Sequence, residues 1–75
     1  MSNFPSLKPK EVMRVLSRAG FFVDHIRGSH HYFKHPKDAE MLVCVPYHNK
    51  DLKRGTLKSI ITQAKMTVDE FLSYK

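Results

Sequence analysis

Over residues 9–19 the apolar positions Val12, Val15, Leu16 and Ala19 recur at spacings of three and four, which predicts a helix with one buried stripe. Pro9 suits the first helical position and Gly20 the left-handed residue just past the last turn. Lys8 offers no acceptor for a free backbone N–H, so the N-cap is weak. Arg14 and Arg18 lie four apart on another face. Beyond Gly20 the period changes to two. Residues 21–27 and 30–35, rich in aromatic and β-branched side chains, flank Gly28-Ser29 and predict a β-hairpin, with Val23 and Asp24 on opposite faces. His35-Pro36-Lys37-Asp38 reads as the next turn, and the apolar run 41–45, ended by Pro46, as the third strand of an antiparallel meander. Residues 47–54 form a charged connection. Gly55-Thr56 opens a second helix with Leu57, Ile60, Ile61 and Ala64 on its apolar stripe. Thr67 and Glu70 make a capping box for a short terminal helix that turns Val68, Phe71 and Leu72 inward.

The predicted class is therefore α+β, in the order α-β-β-β-α plus a short C-terminal helix. Each long helix must bury its stripe, so both are expected on one face of a three-stranded antiparallel sheet, leaving the other face open. That order is the one found in double-stranded-RNA-binding domains, which read shape. Order alone does not assign function. With 75 residues the chain is expected to be one domain, 1–75, burying only about 60% of its unfolded surface. Any site must then lie on its surface.

Charge narrows the class of partner. Thirteen Lys and Arg against seven Asp and Glu give +6, which rises to +11 with all five histidines protonated. Such an excess points to nucleic acid, an anionic membrane surface or an acidic protein. No apolar run approaches the roughly 20 residues a membrane span needs. The basic residues are dispersed over strands and loops, and the helices bury their stripes, so a membrane-surface peptide fits badly. The one cysteine, Cys44, excludes an intrachain disulfide framework and a cysteine-based zinc cage, and its apolar run predicts a buried, inert thiol. No apolar segment marks the N-terminus as a secretory signal. An intracellular, cytoplasmic setting is the expectation.

Four of the five histidines fall between residues 25 and 35. An unperturbed imidazole, with a pKa of about 6.5, both accepts and donates a proton near neutrality. His31 and His35 share a strand face by the period of two, but no spacing diagnostic of a metal site accompanies them, and with His25 they read as surface histidines. No metal or cofactor is expected. His30 stands apart because it leaves the Gly28-Ser29 turn, where backbone geometry holds a side chain, with Arg27 and Lys34 bringing positive charge. Ser29 is suited to orient the ring or to bond a phosphate oxygen. Tyr32 shares the face of His30 and Lys34. Lys50, Lys53 and Arg54 precede the second helix and Lys58 lies one turn inside it, a place suited to a phosphate contact that Gly55 lets come close.

Taken together, Ala19-Gly20-Phe21, Gly28-Ser29-His30, Val45-Pro46-Tyr47-His48, Lys53-Arg54-Gly55-Thr56-Leu57-Lys58-Ser59-Ile60 and Val68-Asp69-Glu70-Phe71-Leu72 resemble the HicA toxins, from about Lys8 to Leu72. These are small RNA-cleaving partners in bacterial and archaeal toxin–antitoxin pairs. The resemblance implies a double-stranded-RNA-binding-like fold and ribosome-independent cleavage of mRNA, with the histidine of Gly-Ser-His, here His30, as the catalytic residue. It implies a HicB-type antitoxin that covers the active face and itself carries any DNA-binding module. Arg27, Gly28, Ser29, Lys34, Lys53, Arg54 and Lys58 are then the expected RNA contacts, and His48 is a candidate accessory acid. The alternative reading is a non-catalytic RNA-binding module on the same basic face.

Overall fold

The computed structural model describes residues 5–75 and follows the expected order. It comprises α1 (Pro9–Arg18), β1 (Phe22–Arg27), β2 (His30–His35), β3 (Asp38–Pro46), α2 (Arg54–Gln63) and α3 (Val68–Ser73). The first four residues, on which the expectation about a secretory signal partly rests, lie outside the described residues. The strands form one antiparallel sheet in the order β1-β2-β3. Among the described residues no helix is long and apolar enough to cross a membrane.

The core is one cluster. Val12, Val15 and Leu16 of α1, Leu57, Ile60 and Ile61 of α2 and Phe71 of α3 close over Phe33, Val43 and Val45 of the sheet. Phe33 is 1% exposed, and Val43 and Val45 are fully buried. These sheet residues alternate with Tyr32, Lys34 and Cys44, which point away from the helices. The helices thus cover one face and leave the other open, as the amphipathic stripes require. Phe21 is buried while Phe22 is 47% exposed on the sheet.

Both long helices end alike. The Phe21 N–H donates to the Leu16 carbonyl at 2.9 Å and Gly20 N–H to Ser17 at 3.0 Å, a Schellman motif with Gly20 at φ +100°. At the end of α2, Met66 N–H bonds Ile61 at 3.2 Å and Lys65 N–H bonds Thr62 at 3.0 Å, with Lys65 itself at φ +58°. At α1 the Lys8 N–H donates to Glu11 Oε1 at 2.9 Å, while its side chain caps nothing. The Thr67 capping box forms as expected: Glu70 N–H donates to Thr67 Oγ1 at 3.1 Å and Thr67 N–H to Glu70 Oε1 at 2.8 Å.

Some boundaries, and the pairing of β1, depart from expectation. The second turn is only Pro36-Lys37, because His35 pairs with Asp38, so β3 begins three residues early. The register with β2 breaks between Lys34 and His35, which leaves residues 39–41 out of the direct pairing. A polar stretch without alternation carried no sign of this. α2 begins at Arg54, one residue early, with Lys53 in the cap position. In β1, six residues face five of β2: Val23 pairs with Phe33 and His25 with Tyr32, so Asp24 is the extra residue of a bulge.

Candidate active face

The open face is built from the ends and alternate positions of three strands. His30 is the first residue of β2, exposed, and lies across the Gly28-Ser29 turn from Arg27. Gly28 takes φ +57°, a left-handed conformation that favours glycine in a two-residue hairpin turn. On its other side His30 pairs with Pro46 of β3, and the Tyr47 N–H donates to the Ser29 carbonyl at 2.6 Å. The turn that carries His30 is therefore held from both neighbouring segments. Ser29 contributes its backbone to this hold.

Along β2 the same face continues with Tyr32 and Lys34. The Tyr32 ring lies 6.5 Å from the His30 ring, centroid to centroid, and tilted at 40°. On the opposite strand the His25 ring stacks on Tyr32 at 4.4 Å with only 9° between planes. His25 Nδ1 lies 2.8 Å from Asp24 Oδ2, and Lys34 Nζ stands 3.9 Å from the same oxygen. The hydrogen bond from His25, helped by the nearby Lys34 ammonium, holds the Asp24 carboxyl below the usual carboxylate range. The face thus combines two imidazoles, one carboxylate, one phenol and two cations, a set able to move protons and hold a phosphate.

The remaining histidines have other surroundings. His35 is part-buried rather than a free surface side chain: its Nε2 pairs with the Ala19 carbonyl at 3.1 Å and its Nδ1 accepts the Lys37 N–H at 3.2 Å. Its ring meets Phe21 edge-on at 4.9 Å. His31 is half-buried on the helix-facing side, 5.2 Å from Tyr47, with a buried Nδ1 that has no partner. His48 is exposed and accepts the Lys50 N–H at 3.2 Å; among the described residues it makes no hydrogen bond or ring contact with His30. Cys44 is half-buried on the open face opposite Tyr32, not enclosed in the core, because its phase in β3 alternates with Val43 and Val45.

The second group of expected contacts stands elsewhere. Lys53, Arg54 and Lys58 lie exposed at the start of α2, and Gly55, Lys58, Ser59 and Thr62 line a shallow cleft there. The far end of α2 reaches the outer edge of β3, where Cys44 N–H donates to Gln63 Oε1 at 3.1 Å. Arg27 of β1 and His30 and Lys34 of β2 thus share the open sheet face, with Gly28 and Ser29 in the turn beside them and the α2 cations on a separate element. The Asp24–His25 pair was missed in sequence. The unbroken register from the Gly28-Ser29 turn sets His25 opposite Tyr32, while the bulge at Asp24 shifts Val23 and Phe22 to the opposite phase. Among the described residues no three His, Cys, Asp or Glu side chains come together as a metal-binding group.

Compared with known protein families, residues 9–66 match the model described as HicA toxin of bacterial toxin–antitoxin systems. A comparison with curated proteins found no match.

Proposed function

The chain belongs to the HicA toxin family, the toxin side of bacterial toxin–antitoxin pairs, and from that premise we propose that it is a type II toxin cleaving mRNA at its open sheet face. The observation that carries the reading is His30: an exposed imidazole fixed at a braced tight turn, with Arg27 opposite and Tyr32 and Lys34 along the same face. Neutral His30 takes the proton of an RNA 2′-hydroxyl. The freed oxygen attacks the adjacent phosphorus, and the bond to the 5′-oxygen breaks. Arg27 and Lys34 stabilise the charge that builds on the phosphoryl oxygens. Gly28 and Ser29 let the backbone approach the phosphate, while Lys53, Arg54 and Lys58 hold the strand further along.

The nucleophile comes from the substrate and the base from the protein, so the reaction as written uses no metal and no ribosome. DNA, which lacks the 2′-hydroxyl, is not a substrate. The partner we propose is an acidic, HicB-type antitoxin that covers the open face, matching the net charge of +6. His30→Ala tests the function. It should lower cleavage of purified RNA by about 10²–10⁴-fold, the usual share of one general acid–base group, and leave RNA binding unchanged. If wild-type protein binds RNA and cleaves none, the non-catalytic RNA-binding reading takes its place.

A further inference from the structure

Expulsion of the 5′-oxygen needs a proton, and His30 has just taken one from the other side of the phosphorus. His48, the accessory acid suggested by the sequence, is turned into its own loop by the Lys50 N–H. A second imidazole does stand on the open face. His25 lies directly across from Tyr32, and His30 is two residues from Tyr32 on the same strand face. His25 and His30 are thus diagonal neighbours, a relation that puts two positions about 7–8 Å apart. Imidazoles on positions that close, on one face and both beside Tyr32, can reach the same phosphodiester.

We infer that His25, oriented by Asp24 and by stacking on Tyr32, is the general acid that protonates the leaving 5′-oxygen. The inference rests on the RNA-cleaving reading above. Asp24 Oδ2, 2.8 Å from Nδ1, fixes which ring nitrogen faces the protein and leaves Nε2 turned away, with the His25 side chain 48% exposed. This is the orienting role a carboxylate plays behind a catalytic imidazole. An imidazolium at position 25 has its counter-ion in place. One at position 30 has none among the described residues and faces Arg27 across the turn. The division of labour follows, with His30 as base and His25 as acid.

The step balances. The 2′-oxygen gives its proton to His30 and forms a bond to phosphorus. The bond from phosphorus to the 5′-oxygen breaks, and that oxygen takes the proton of the His25 imidazolium. A 2′,3′-cyclic phosphate and a 5′-hydroxyl leave, and solvent returns the two rings to their starting forms. The groups facing His25 are Asp24 and Arg27 of β1, Tyr32, His30 and Lys34 of β2 and, beyond Tyr32, Cys44 of β3.

The test is cleavage of RNA carrying either oxygen or sulfur at the 5′-bridging position of the scissile phosphate. On the oxygen substrate, His25→Ala should lose about 10²-fold in rate with unchanged RNA affinity, and should lose the fall of rate at high pH that a general acid imposes. A thiolate leaves without a proton, so the sulfur substrate should restore His25→Ala towards wild type while leaving His30→Ala slow. Asp24→Asn should lose less than His25→Ala and be restored by sulfur in the same way. A His25→Ala protein with wild-type rate and pH profile, or one equally slow on both substrates, overturns the acid role while dependence on His30 stands. Cleavage at the wild-type rate by His30→Ala overturns the underlying reading instead.

Discussion

Adjacent residues of β2 lead opposite lives. His31, Phe33 and His35 point towards the helices, where Phe33 is 1% exposed and His35 is tied to the Ala19 carbonyl. His30, Tyr32 and Lys34 point the other way, into an open face holding His25 and Asp24. The covered face gains stability from buried apolar area, which it has in quantity; there His35 makes hydrogen bonds and His31 packs against Tyr47. The open face buries little and leaves His25 and His30 exposed. One strand thus carries His31 and His35 towards the helices and His30 on the open face. The pleat does the sorting, and residue type alone cannot.

The sharpest way to break this comparison is on the covered side. Phe33→Ala should cost about 3–5 kcal/mol of stability, read by chemical denaturation, because it leaves a cavity at the centre of the sheet. The matching change on the open side, His30→Ala, should shift stability by no more than about 0.5 kcal/mol while removing cleavage. Gly20→Ala should cost about 1–3 kcal/mol, measured in the same way. The left-handed φ is strained for alanine, and its Cβ would come 2.8 Å from His35 Nε2, displacing the ring that bonds Ala19.

The smallest effect is on pH. The hydrogen bond from Lys65, and then the Glu40 N–H, holds the Asp38 carboxyl below its ordinary 3.8, and Asp38 in turn raises the Lys65 ammonium above 10.5. The stability this pair contributes is present above the unfolded carboxyl pKa and is lost as pH falls through the lower folded value. At the alkaline end it is present below 10.5 and lost as pH rises through the higher folded value. Asp38→Asn should flatten both slopes in urea midpoints measured across pH, and both charges are exposed enough for salt to mimic part of that change.

Much of the fold was legible because its signals are local. Val12, Val15 and Leu16 fall on one helical stripe, Gly20 ends a helix, and Thr67 with Glu70 begins one. The face of His30 was legible too, since the turn at Gly28-Ser29 sets the phase of β2. What stayed hidden depends on pairing. The bulge at Asp24 is a relation between six residues of one strand and five of another, and it sets Val23 opposite Phe33 and Phe22 opposite Lys34. The early start of β3 depends on His35 meeting Asp38. His35 looked like a surface residue because its partner, a backbone carbonyl at the end of α1, leaves no mark in composition.

The most direct measurement compares His30→Ala and His31→Ala on one purified RNA, following cleavage rate and thermal stability in both. Loss of cleavage by His30→Ala at unchanged Tm, with His31→Ala still cleaving, is the result predicted. Loss of cleavage by a folded His31→Ala, with His30→Ala cleaving at the wild-type rate, would contradict the assignment of chemistry to the open face.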